Sequence, residues 1–302
     1  MIDLFKENLV EYQDIIHPDL NKSNISLTIA RLDKLHPIVS GNKLFKLHFF
    51  LKEAIDKQKN LLTFGGAYSN HLVATAYAAM VLGVKAIGIV RGEKPKMESN
   101  TLTMCRQYGM ELQFLSRTEY RKYNQPLFFI EIEKEYPNYI IIPEGGFHPL
   151  GAEGASLIMD KVQNKTPTHI CLPVGTATTL AGILSSANED QHVLGFPVLK
   201  NMTDINTRIA ALIDEKHINK LDIIDGYHFG GYAKSTKELT TFMNEFYQQY
   251  NIPLDFVYTG KMMFGVIEKM KQHYFPRGSR ILCLHTGGLQ GNVSLLKNTL
   301  IY

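Results

Sequence analysis

Residues 61–90 read LLTFGGAYSNHLVATAYAAMVLGVKAIGIV, and their pattern decides the fold. Positions 61–64 form a short apolar run of strand character that ends at Gly65-Gly66. From Ser69 to Leu82 the chain is apolar almost all round, which predicts a buried helix capped by Ser69 or Asn70 and stopped at Gly83. Positions 85–90 are the next strand. A strand, a glycine loop, a helix and a second strand make a crossover unit, and crossovers join parallel neighbours in a sheet covered by helices.

The alternation runs outward in both directions. Before it lie a strand at 25–31 and a helix from Asn42 to about Lys59, where Leu44, Leu47, Leu51, Ala54 and Ile55 share one face. After it come a helix at 99–108, a strand at 111–115, a helix near 125–135 and a strand at 139–143. Four glycines and Pro149 gather in 144–154, which suits a connection between two packed units. Beyond it follow a helix to about Asn164, a strand at 170–174, a helix from Thr178 or Thr179, a strand at 193–199, a helix at 203–215 and a strand at 221–226. Helices at 235–250 and 262–273 precede a last strand at 280–285. The expected plan is α/β, with two three-layer αβα domains, mostly parallel twisted sheets and a site between them.

Composition narrows the function. The chain has 302 residues, 45% of them hydrophobic, and a formal net charge of +3 with both signs interspersed. The longest basic cluster, Arg91 to Lys96, is broken by Glu93, so nucleic acid is not an expected partner. Cys105, Cys171 and Cys283 are far apart and flanked by apolar residues, which predicts buried thiols and no zinc or disulfide framework. The first ten residues carry Asp3, Lys6 and Glu7, and no window approaches about 18 uncharged apolar residues. A cytoplasmic protein with no membrane partner is expected.

Ligands of open parallel sheets bind beyond the carboxyl ends of the strands, so the loops there carry the chemistry. Residues 40–47, SGNKLFKL, put Lys43 in a first helical turn and Lys46 three residues on, on one face. A lysine that acts as a nucleophile must lose its proton near neutral pH, through burial or a neighbouring cation, and Lys46 can be that cation. Residues 65–71, GGAYSNH, set backbone amides and outward-facing Ser69, Asn70 and His71 at a helix start, a place for an anion or a polar ring; the plain alternative is a cap with a surface histidine. Residues 175–179, GTATT, combine converging amides with three hydroxyls, as a phosphate monoester requires. No lysine follows those glycines, the Gly260-Lys261-Met262 run lacks the hydroxyl of a nucleotide loop, and Gly-x-Gly-x-x-Gly follows none of the expected strands. Tyr258-Thr259-Gly260-Lys261 and His285-Thr286-Gly287-Gly288 each place a hydroxyl or phenol beside glycine at an expected strand end. An activated lysine, a phosphate loop and an aromatic-polar wall together fit pyridoxal 5'-phosphate.

These motifs, in this order, resemble the fold-type II pyridoxal-phosphate enzymes (tryptophan synthase β-like), and within them the group of D-cysteine desulfhydrase and 1-aminocyclopropane-1-carboxylate deaminase. The resemblance implies Lys43 as the Schiff-base lysine and Lys46 as a phosphate contact. It implies that Ser69, Asn70 and His71 hold the substrate carboxylate, with Asn70 also reaching the cofactor ring. Gly175, Thr176, Ala177, Thr178 and Thr179 would form the phosphate loop, and Tyr232 and Tyr258 would be active-site tyrosines. Lys43, Ser69, Tyr232 and Tyr258 are then the candidate catalytic residues, with no metal. The resemblance further implies a homodimer, a small domain of residues 46–150 and a large cofactor-binding domain of 1–45 plus 151–302. Thr259 and Thr286 stand where the deaminases carry Glu and Leu, as in the desulfhydrases; a threonine hydroxyl at the ring nitrogen makes a weaker electron sink than a carboxylate does. The implied reaction is β-elimination from a small D-amino acid to pyruvate, ammonia and sulfide. The alternatives are the cyclopropane deaminase with Tyr258 as nucleophile, another β-elimination or racemisation, and a non-catalytic phosphate-ligand binding protein. Tyr68, Leu72, Val73 and Ala74 depart from the family's Gln and Arg-Gln and are expected to border the substrate pocket.

Overall fold

The computed structural model describes residues 9–17, 24–125, 127–162 and 166–302. In chain order its elements are β1 Tyr12–Ile15, β2 Ser26–Ala30, α1 Asn42–Asp56, β3 Asn60–Gly66, α2 Asn70–Leu82, β4 Ala86–Arg91, α3 Asn100–Gln107, β5 Met110–Leu115, α4 Phe128–Glu135 and β6 Tyr139–Ile142. Then follow α5 Pro149–Val162, β7 His169–Val174, α6 Thr178–Ser186, β8 His192–Pro197, α7 Ile205–Ala210, β9 Leu221–Ile223, α8 Lys237–Tyr250, α9 Thr259–Lys271 and β10 Arg280–Leu284. They build two sheets. The smaller has the order β5-β4-β3-β6, all parallel, and the larger β1-β2-β10-β7-β8-β9. Every pairing in the larger sheet is parallel except β1 with β2.

The opening stretch folds as its pattern demands, with Ser69 capping α2 through the amide of Leu72 and Gly83 closing it in a left-handed turn. Three expectations change. The edge strand β1 carries too little apolar sequence to announce itself and is fixed by pairing, Tyr12 opposite Ala30. The helix expected at 203–215 is only Ile205–Ala210, followed by a 3-10 segment at Glu215–Lys220, and α4 begins at Phe128 after short turns at Arg117–Tyr120 and Arg121–Asn124. Phe256 and Val257 form no strand before Tyr258; Thr259 is instead the first residue of α9, so Tyr258 and Thr259 stand at a helix entry rather than a strand end. The expected end of the helix at Asn164 lies outside the described residues.

One continuous core joins the two sheets. It takes in Leu47 and Leu51 of α1, Leu72, Val73 and Ala74 of α2, Ile158 of α5, Leu180 of α6 and the inner strand residues. Leu72, Val73 and Ala74 are thus core residues with no more than 2% exposure, which corrects their expected place beside the pocket: apolar side chains there fill the helix–sheet seam. The outer faces have cores of their own, under α8 and α9 for the larger sheet and under Tyr120, Phe128 and Ile132 for the smaller. The three cysteines are buried free thiols. No helix among the described residues is long and apolar enough to cross a membrane.

Small residues bring α5 against both of its helical neighbours. A β-carbon at Gly154 of α5 would lie 2.2 Å from the Phe45 carbonyl oxygen of α1, and one at Gly182 of α6 would lie 2.4 Å from the Ala152 carbonyl oxygen of α5. Both obstacles are backbone and cannot rotate aside. Gly154→Ala and Gly182→Ala are therefore each expected to destabilise the protein by about 1–3 kcal/mol, overpacking outweighing the gain in helix propensity. Thermal unfolding monitored by circular dichroism checks this; an unchanged or raised midpoint would contradict it.

Candidate active site

The site begins where α1 begins. Gly41, at φ 63°, turns the chain so closely past the last sheet strand that a β-carbon would lie 2.1 Å from the Thr286 carbonyl oxygen, so only glycine fits. That oxygen accepts from the Asn42 amide at 3.3 Å and from Lys43 Nζ at 3.4 Å. One turn on, Lys46 is 5% exposed and its Nζ donates to the Gly145 carbonyl oxygen at 2.6 Å. No carboxylate among the described residues forms an ion pair with either lysine. Burial pushes the Lys43 ammonium down to about 8 against the opposing pull of Asp255, and burial together with the Lys43 charge pushes Lys46 down to about 7. Both lysines are depressed, but Lys43 by burial alone and not by the Lys46 cation expected to do it; the charge effect runs the other way, from Lys43 onto Lys46, which is the more strongly perturbed.

The Gly175–Thr179 turn comes to the same place from the larger sheet. The Asn42 side-chain amide donates to Thr179 Oγ1 at 2.8 Å, tying the starts of α1 and α6 together. Thr176 and Thr178 share a hydroxyl hydrogen bond of 2.9 Å, and Ala177, a non-glycine at φ 68°, turns the chain into α6 with no side chain capping the helix. The first amides of α6 and these hydroxyls therefore face an anion-ready corner. The Tyr258 ring covers Gly175, where a β-carbon would lie 3.3 Å from it, and Lys43 Nζ is 5.5 Å from the same ring's centre. Lys43, Thr176 and Tyr258 are thereby gathered around one cleft, to which Tyr232 adds a phenol 3.4 Å from that of Tyr258.

From the smaller sheet come Ser69 and Asn70 at the start of α2, with Ser69 serving as its cap. His71 differs from its expected outward position: it is 4% exposed, and burial next to Lys46 and Lys43 drives its pKa well below the ordinary value. Both its ring nitrogens, like Asn42 Oδ1, are buried without a hydrogen-bond partner.

Two groups were missed by sequence reasoning. Asp255 is fully buried and accepts from the amides of Val257, Tyr258 and Thr259 and from the Thr259 hydroxyl, at 2.7–2.9 Å. It gathers the amides leading into α9, whose N-cap position is Tyr258, a role legible only if the helix is started at Thr259 instead of Met262. The Thr259 hydroxyl, which donates to Asp255 and accepts from its amide at 2.9 Å, is occupied, whereas Thr286 lies beside Lys43. The second group is a buried brace, Arg31 bidentate on Asp33 with His285 Nδ1 3.3 Å from Asp33 and Nε2 donating to the Pro253 carbonyl oxygen, which seats the Thr286 loop.

The sequence pattern described as "Pyridoxal-phosphate dependent enzyme" matches residues 18–287. The chain belongs to the pyridoxal-phosphate-dependent enzyme family. It is 30% identical over 270 residues, 84% of this chain and 81% of the other, to a putative 1-aminocyclopropane-1-carboxylate deaminase of Pyrococcus horikoshii. It is 30% identical to the bifunctional D-cysteine desulfhydrase/1-aminocyclopropane-1-carboxylate deaminase of Arabidopsis thaliana, over 88% of this chain and 73% of that one. A D-cysteine desulfhydrase of Serratia proteamaculans is 27% identical over 86% of each chain. Among solved structures, an ACC deaminase homologue superposes with a TM-score of 0.80 at 27% identity, covering 96% of this chain and 92% of that chain. The two-sheet architecture is that of the fold-type II pyridoxal-phosphate enzymes, and the cofactor is pyridoxal phosphate. This enzyme's residues fit it: an uncapped helix start with three hydroxyls and a buried cation for a phosphate, a depressed lysine for an aldehyde, and orphaned polar atoms on Asn42 and His71 that call for a polar partner.

Two expectations follow. Asp255→Ala leaves three amides and a hydroxyl unpaired in the interior and should cost about 2–4 kcal/mol of stability, read by denaturant unfolding. His71 and His169 are held neutral, His169 by burial that lowers it to about 4. Unfolded, both protonate near pH 6.5, so stability is complete above that value and falls as pH drops from 6.5 towards 4. His71→Gln and His169→Gln should each flatten that loss; an unchanged slope would contradict the assignment.

Proposed function

We propose that this enzyme is a lyase that eliminates hydrosulfide from D-cysteine, with Lys43 as its cofactor-bearing lysine. The observation that supports the reading above all is the Lys43 amine, pushed down to about 8 with no ion-pairing carboxylate among the described residues. Pyridoxal phosphate, when bound, supplies the carbonyl that takes up the substrate's amino group and a ring that draws electrons from Cα. Lys46, Asn42 and the Gly175–Thr179 turn would hold its phosphate, Asn70 its ring hydroxyl and Thr286 its ring nitrogen. Ser69 and the amides at the start of α2 would hold the substrate carboxylate, with His71 supporting them from beneath.

The Lys43 amine, with Ser69 beside the same cleft, takes the proton from Cα. The Cβ–S bond then breaks with its electron pair on sulfur, which needs a proton. Burial, with Tyr232 and the Asp255 and Glu144 charges in addition, raises the Tyr258 phenol well above its ordinary value, so it stays protonated and can give that proton. Water releases the remaining three-carbon unit as pyruvate and ammonia. A phenol held protonated favours this role over that of a nucleophile opening a cyclopropane ring, and Thr259 in place of a carboxylate points the same way. The deaminase remains the second reading, supported by the named relative in Pyrococcus horikoshii, while the bifunctional relative in Arabidopsis thaliana supports both. The same proposal takes the enzyme as a cytoplasmic homodimer, with a small unit of residues 46–150 and a large unit of 1–45 plus 151–302.

The deciding assay offers D-cysteine, L-cysteine and 1-aminocyclopropane-1-carboxylate to the cofactor-loaded enzyme. Sulfide with pyruvate from D-cysteine is the expected result. 2-Oxobutanoate from the cyclopropane without sulfide would turn the reading to the deaminase, and a loaded but inert protein would end both. Lys43→Ala should fold, lose the visible absorbance of lysine-bound cofactor, and lose turnover by at least about a thousandfold.

A further inference from the structure

Lys261 has no part in the chemistry above, yet it is a lysine with 1% exposure whose Nζ donates to the Gly231 carbonyl oxygen at 2.7 Å. Its position is unfavourable twice over. Burial pushes its ammonium down to about 8 with only Asp255 opposing, and a cation in the first turn of α9 opposes the helix dipole. A methionine would fill the same space without either cost, so the side chain is present for what it holds.

It ties a strained loop to α9 from outside. Between Gly226 and Ala233 five residues have left-handed backbone, Gly226, Phe229, Gly230, Gly231 and Ala233, two of them non-glycine and therefore strained. The loop's own hydrogen bonds are the Gly231 amide to the His228 carbonyl oxygen, the Gly230 amide to His228 Nδ1 and, at 3.2 Å, the Lys234 amide to the same Gly231 carbonyl oxygen that Lys261 reaches at 2.7 Å. The aromatic contact of Phe229 with Phe264 anchors the side away from the cleft. At the other end stands Tyr232, 44% exposed, with its phenol 3.4 Å from that of Tyr258. Lys261 is three residues beyond Tyr258 and bonds the residue just before Tyr232, so it joins the two tyrosines through the backbone.

We infer that Lys261 is a positioning residue, which fixes the Gly231 peptide and so aims the Tyr232 phenol at Tyr258 across the mouth of the cleft. Its activity arm rests on the proposed reading of the site; its structural arm does not. Hydrogen exchange resolved to peptides on the holoenzyme is expected to show Lys261→Met exchanging about tenfold faster across residues 228–235, with β7 unchanged. Lys261→Arg, which keeps a donor, should restore protection. Should Lys261→Met not fold, Lys261→Gln, too short to reach Gly231, is read in the same way. On D-cysteine, or whichever amino acid is turned over, Lys261→Met should lower kcat roughly ten- to a hundredfold at unchanged cofactor loading. Adding it to Tyr232→Phe should lower kcat no further, because the lysine acts through that phenol. Unchanged loop exchange overturns the proposal, and so do kcat losses that multiply in the double variant. An enzyme inert on every amino acid overturns the functional reading alone, since the exchange result stands without turnover.

Discussion

Two ammonium groups stand three residues apart at the start of α1, Lys46 buried and Lys43 half-buried, with backbone carbonyl oxygens as acceptors and no ion-paired carboxylate among the described residues. Such a pair is among the more costly things a fold can hold, because each charge loses hydration and each repels the other. The protein answers partly by depressing both pKa values and partly by setting helix starts and hydroxyls where an anion is wanted. A phosphate at the proposed site would complete that arrangement. Burial leaves Lys43 with a readily available neutral amine, and burial together with the two lysine charges keeps His71 uncharged.

Most of the rest of the structure exists to bring these groups to one point. The larger sheet delivers Thr286 from β10 and the hydroxyl turn from β7; the smaller delivers the Ser69–Asn70 start of α2 from β3. The close stack of α1, α5 and α6, made possible by Gly154 and Gly182, joins the two halves without a gap. Asp255 governs the far wall by orienting three consecutive amides and the Thr259 hydroxyl at the entry to α9. Lys261 extends the same wall to the Tyr232 loop, so a buried anion and a buried cation flank the tyrosine pair.

Much of this was legible in the residues. The βαβ rhythm stood out because parallel strands buried on both faces read as unbroken apolar runs, and the glycine-bearing turns after them can only be loops. β1 was not legible, since an edge strand needs few apolar residues and is set by its partner. Asp255 escaped because it lies four residues before a helix whose apolar period begins late, and the outward reading of His71 failed because a cap pattern says nothing about what packs over the helix.

What the sequence by itself determined is the alternation of elements, the Lys43–Lys46 spacing, the hydroxyl turn and hence the cofactor class, because each depends on neighbours within a few residues. What only the tertiary structure decided is which groups meet: the burial that perturbs the lysines, the engagement of Thr259 by Asp255, the orphaned ring of His71 and the hold of Lys261 on Gly231. Those depend on desolvation and on contacts between distant segments, and both come into being only when the two sheets close on one another.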